Sequence, residues 1–289
     1  MVGDVMRDNS YYSIRTGKNP DGIRFDLAKL KKLFLSEYEL FENKSYFQEA
    51  FGYTCVDSGN VPGTLGSNID GRFLFYLHKD NLWPISQTVV TYSEDDIFDV
   101  IEFLYDFVSK PVDGFYHSYG DCGWHYSIFD AIVGKENFRT QMNRVLSKYK
   151  EGYELSKQGE ILVCAEQGLE PLLNAVIPYY DPQNVDQRVN AAILKFRRHR
   201  SSSEDRRDAV RDLADVLEFL RPKIDLVLST KDEKELFNIA NNFGIRHHND
   251  KQKKEYDEAI WYSWMFYHYL STIHVVLRLL NKHDEIASQ

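Results

Sequence analysis

Three cysteines in 289 residues, Cys55, Cys122 and Cys164, are too few, too far apart and of the wrong parity for a disulfide framework that pairs every thiol. Their scarcity points to a reducing, intracellular setting. Internal repeats, low-complexity stretches and an excess of proline and glycine are also missing, which excludes a solenoid, a collagen and a disordered chain. The first twenty residues have no apolar run and carry Asp4, Arg7, Asp8, Arg15 and Lys18, so a secretory signal is not expected and a cytoplasmic location is. One long uncharged stretch exists, the 19 residues 259–277. Its Tyr262, Ser263, Tyr267, His268, Tyr269, Ser271, Thr272 and His274 would each need a polar partner in hydrocarbon. A helix buried on several sides is therefore expected there, and no membrane span.

A general excess of positive charge is lacking too, since the net charge is -9. The imbalance is confined to one half: residues 181–289 hold 18 Lys and Arg against 18 Asp and Glu, and residues 1–180 hold 17 against 26. Within the neutral half the basic residues gather in 195–211 and 246–254, a distribution that suits a phosphate-binding surface as well as a solvated helix face with paired charges.

The organisation follows from changes of period. Residues 1–22 are polar and loosely held. Leu27, Leu30, Leu33 and Phe34 repeat at helical spacing, and 56–71 collects glycine, proline, asparagine and aspartate as a loop does. Aromatic and β-branched residues in 73–78 and 85–92 predict two strands. Ser93 with Asp96 predicts a capped amphipathic helix carrying Ile97, Val100, Ile101, Leu104 and Val108 and ending near Lys110. A loop through 114–130, a helix over 135–150 and a short strand over 159–164 follow. From Val185 onward every long segment has a helical period, with Ser202 and Asp205 offering a second capped start. The expected fold class is α+β: a mixed α/β domain over 23–170, and an all-α up-and-down four-helix bundle over 171–289, with the boundary at Pro171, Pro178 and Pro182.

Several chemistries can be weighed and set aside. Cys122 and His125 have the spacing of half a zinc site, but the remaining cysteines and histidines offer no second pair at ligand spacing, so no metal and no cofactor are expected. The glycines of 59–71 lack the order of a phosphate loop. Ser118, His125 and Asp130 have the residue types of a triad without its local signature.

Residues 243–251, Phe-Gly-Ile-Arg-His-His-Asn-Asp-Lys, are different. The Arg246 guanidinium can hold a phosphate through two hydrogen bonds, and neutral imidazoles at His247 and His248 can move a proton at pH 7. A ribose 2'-OH deprotonated there attacks the adjacent phosphate without a metal, which makes RNA the expected substrate. Asn249, Lys253 and Lys254, together with Lys195, Arg197, Arg198, His199 and Arg200, are the candidate backbone contacts. In the aromatic helix, Trp261, Trp264, Tyr267, His268 and His274 predict a homodimer interface, because aromatic bulk on several faces exceeds what one bundle core takes in.

Residues 46–52 (YFQEAFG), 101–105 (IEFLY), 122–126 (CGWHY) and 152–155 (GYEL) resemble the AbiJ-type amino-terminal domain of bacterial abortive-infection proteins. The other half resembles a bundle of the HEPN superfamily. The resemblance implies an effector that cuts RNA as a dimer, an amino-terminal domain that receives a phage-derived trigger, and arrest of the host. It matches Arg246 to the family's arginine and His247 to the polar residue after it, while Lys251 stands where a distal histidine is expected. A lysine of ordinary pKa is neutral about once in 2,500 at pH 7, which forfeits most of the roughly 10²- to 10⁴-fold gain of a good general base. Three readings remain: His247 or His248 moves the proton, a desolvated Lys251 does so or only binds phosphate, or the bundle is a catalytically inactive module for RNA binding and dimerisation.

Overall fold

The computed structural model describes residues 11–18, 24–166, 168–224, 227 and 257–287. The fold is mixed α+β, and packing divides the chain into two units, Met1–Ile161 and Leu162–Gln289. The division precedes the proline-marked stretch because residues just after Ile161 are tied to the second unit. Leu162 bridges to Arg198, the Arg197 Nε–H donates to the Val163 carbonyl, and Ser263 donates to Glu166.

The first unit begins with a single turn, α1 (Tyr12–Arg15), and then α2 (Leu27–Asn43), capped where the Asp26 carboxylate accepts from the Lys29 N–H. Leu30, Phe34, Tyr38 and Phe41 line its buried side at the expected three-to-four spacing. After α3 (Gln48–Phe51), strands β1 (Tyr53–Cys55) and β2 (Gly59–Val61) pair antiparallel. The two strands predicted next are helical. Residues 73–78 belong to α4 (Ile69–Leu77), and residues 85–92 form α5 (Ile85–Thr88) followed by a 3-10 turn, Val89–Thr91. The core residues of these runs, Ile69 with Phe73 and Ile85 with Val89 and Tyr92, are three or four apart as in a helix, and Asn68 caps α4. Local capping and period outweighed the β-propensity of the aromatic and branched side chains.

Helix α6 (Glu94–Phe107) starts in a full capping box, with the Ser93 hydroxyl accepting from the Asp96 N–H and the Asp96 carboxylate accepting from the Ser93 N–H. The stretch expected to be a loop is the longest ladder among the described residues. Strands β3 (Lys110–His117) and β4 (Gly123–Asp130) pair antiparallel, with irregularities at Asp113. Gly114 is required there, because a Cβ would stand 2.3 Å from the His125 carbonyl oxygen. Helix α7 (Ala131–Leu146) is capped by Asp130 and packs on α2, where Phe138 meets Phe41 edge to face at 5.2 Å. Strands β5 (Tyr153–Leu155) and β6 (Ile161–Val163) pair where the chain leaves this unit.

In the second unit, α8 (Glu170–Asn174) and a π-type turn (Pro182–Asp186) precede α9 (Gln187–Arg197), α10 (Ser203–Ile224) and α11 (Glu258–Ala287). Ser202 and Asp205 exchange the bonds expected of a capped start. One core joins the three long helices, with Phe196 of α9 stacked on Phe266 of α11 at 4.0 Å and Leu213, Leu217 and Leu220 of α10 beside them. Residues 228–256, part of the stretch expected to be helical, lie outside the described residues. No helix among the described residues is long and apolar enough to cross a membrane.

Candidate functional site

Of the residues expected to act on RNA, Arg246, His247, His248, Asn249, Lys251, Lys253 and Lys254 lie outside the described residues. The flanking basic run is described, and it is not the continuous track the sequence suggests. Lys195 is paired with Asp212 at 2.5 Å, and Arg197 is buried with its Nε–H on the Val163 carbonyl. Both cations are used in holding the unit together. Arg198 and Arg200 are exposed, and His199 is half-buried.

The aromatic helix also divides its expected interface residues. Tyr267 belongs to the unit's core cluster with Tyr262, Phe266 and Ile273, and His274 is buried as well. Trp264 is 44% exposed and Trp261 and His268 are half-buried. Helical spacing places Ile260, Trp264, His268 and Ser271 on one face of α11. That face lines a cleft of about 690 Å³, to which Arg206 of α10 and Glu166 also contribute. The Trp264 and His268 rings stack nearly parallel with centroids 5.2 Å apart. Among the described residues no hydrogen-bond partner meets the buried Nε2 of His268 or the buried Nε of Arg206, whose guanidinium lies 5.4 Å from the Phe196 ring centre. Burial holds the His268 pKa below its ordinary value, so the ring is neutral at pH 7. A flat indole, a cation and a neutral imidazole around one opening suit a planar, polar-edged ring.

A second constellation lies in the first unit. Cys55 closes β1, His117 closes β3, Cys122 sits in the turn after it, and His125 is on β4. One ligand atom from each falls within 4.8 Å of all the others. The Cys55 Sγ lies 3.7 Å from His117 Nδ1, and the Cys122 Sγ lies 3.1 Å from His125 Nε2. His117 turns its other nitrogen, Nε2, to the Asp57 carboxylate at 3.2 Å, and the His125 ring stacks on Tyr53 at 4.2 Å. Backbone N–H groups of Asp57 and Ser58 bond the Cys55 sulfur and push its pKa down to about 7, while burial pushes Cys122 up.

The sequence shows Cys122 and His125 as a pair, but their partners stand 67 and five residues away from the nearer member of that pair along the chain. Pairing of β3 with β4 brings His117 across from Gly123, and packing of the first hairpin brings Cys55. The legible signal was His117, Cys122 and His125 within nine residues, the spacing of ligands around a hairpin tip.

No protein-family model, curated protein or solved structure matches this chain.

Proposed function

We propose that the protein is an RNA-directed effector of abortive infection. In this reading the helical unit, acting as a homodimer of the HEPN type, binds RNA and cleaves it without a metal, and host growth stops. The amino-terminal unit receives the phage-derived trigger. Arg246 holds the scissile phosphate, and His247 or His248 takes the proton from the 2'-OH, with Lys251 binding phosphate. The observation that carries the RNA reading is the α11 cleft, where the exposed Trp264 ring offers one base a stacking platform and Arg206 lines the same opening as a cation. Stacking of this kind is tolerant of sequence, so it suits binding of single-stranded RNA rather than a single codon or site.

A second reading, RNA binding and dimerisation without cleavage, is favoured by one observation, Lys251 in the position of the expected histidine. Induced expression of the wild type beside Arg246→Ala, followed by sequencing of total RNA ends, separates the two. New internal ends with the wild type alone support cleavage. RNA recovered with the protein but carrying no new ends supports the second reading, and neither RNA association nor new ends removes both.

A further inference from the structure

We propose that Cys55, His117, Cys122 and His125 bind one zinc ion as a closed, four-ligand structural centre of the first unit. The proposal stands apart from the RNA reading, and neither depends on the other.

Donor type and spacing carry it together. Zinc bonds of about 2.3 Å to thiolate sulfur and 2.0–2.1 Å to imidazole nitrogen place the corners of a tetrahedral site about 3.3–3.8 Å apart. The two ligand pairs stand 3.7 and 3.1 Å apart, and no pair among the four exceeds 4.8 Å. Side-chain shifts of about 1 Å would close the wider pairs around a single ion. A two-iron cluster with cysteines on one iron and histidines on the other would need the two kinds of ligand farther apart.

The surroundings fit a ligand set rather than a chance meeting of side chains. His117 approaches the cluster through Nδ1 and directs Nε2 at Asp57, the carboxylate–histidine–metal arrangement that fixes a ring and its tautomer. The Cys55 sulfur accepts from the backbone N–H groups of Asp57 and Ser58, and the Cys122 sulfur accepts from that of Val56. On binding, the two thiols lose two protons to solvent and the ion gains two anionic and two neutral ligands, so the centre is neutral. With all four positions filled by protein, no place is left for a reacting water, which makes the role structural.

The hairpins need such a staple. Two-stranded ribbons are marginal alone, and the β3–β4 ribbon turns Phe115, Tyr116 and Trp124 outward rather than into a core. One ion would join the end of β1 to both strands of that ribbon.

The test begins with the full-length chain, purified under reducing conditions and analysed by elemental mass spectrometry. One zinc per chain is expected. Replacement by cobalt should give the visible bands of a tetrahedral site with thiolate-to-cobalt charge transfer in the near ultraviolet. Asp57→Asn should keep one site at saturation and bind zinc about 10- to 100-fold more weakly in competition with a chromophoric chelator. Cys164→Ser, outside the cluster, should match the wild type in all of these measurements. Zinc well below one per chain after growth with added zinc, an octahedral cobalt spectrum without charge transfer, or a Cys55–Cys122 disulfide in the reduced preparation would each overturn the proposal. So would loss of the site in Cys164→Ser.

Discussion

The four histidines of the two regions just described show opposite uses of one side chain. In the hairpin region His117 faces a sulfur and a carboxylate, and His125 faces a sulfur and an aromatic ring. In the helical unit His268 and His274 sit in apolar packing, and burial lowers the pKa of both. The difference follows from the elements. Antiparallel strands and their turns bring residues far apart in sequence to one point, so donors converge. A helix repeats one face every three to four residues, so its histidines spread along a stripe and take whatever the packing offers. Convergent donors suit a metal, and a stripe suits a surface or a core.

Mutations that hit one region and spare the other sharpen this contrast. Phe266→Ala should have the largest effect, destabilising the helical unit by about 3–5 kcal/mol, because the ring is fully buried and stacked on Phe196. Denaturant unfolding checks the loss, and the metal content of the chain should not change. Trp264→Ala should weaken RNA binding by about 1–3 kcal/mol, the cost of one base–aromatic stack. Because Trp264 is already half exposed, its melting temperature should fall much less than that of Phe266→Ala. Equal losses of stability in the two variants would make the cleft face part of the core. Ser93→Ala removes one cap from α6 and should cost the first unit about 1 kcal/mol.

The smallest effect is in pH. His268 and His274 have folded pKa values below the ordinary 6.5, so the unfolded chain binds more protons in the interval beneath 6.5. Their contribution is complete above that pH and is lost as pH falls through the interval towards the folded values. His274→Leu should flatten the slope of stability against pH over that range, as followed by thermal melts. A slope unchanged by the substitution would show that His274 does not titrate on unfolding.

How much was legible depended on whether the deciding contact was local. The capping pairs Ser93 with Asp96 and Ser202 with Asp205 act over three residues, and both were readable. So was the helical period from Val185 onward, which α10 shows in buried Val210, Leu213, Leu217 and Leu220. Residues 73–78 and 85–92 misled because a short aromatic run has the same composition in a strand and in a helix, and only burial at three-to-four spacing distinguishes them. The β3–β4 ribbon was hidden by Gly114, Gly120 and Gly123, whose loop-like chemistry serves close strand approach and tight turns. The basic run around Lys195 looked like a phosphate track until Asp212 and the Val163 carbonyl supplied partners from elsewhere in the fold. The metal-ligand cluster was half visible for the same reason, since Cys55 arrives from another hairpin.

The division of labour proposed here places RNA chemistry in the helical unit and metal chemistry in the hairpins. Its most direct test is cleavage of a single-stranded RNA by the purified full-length chain, in buffer free of added metal and with chelator present, read by the chemistry of the product ends and accompanied by a zinc measurement on the same sample. The account predicts 2',3'-cyclic phosphate or 3'-phosphate ends, no cleavage of the matching DNA, and no cleavage by Arg246→Ala. Cleavage that appears only on adding a divalent ion and leaves 5'-phosphate ends would contradict it.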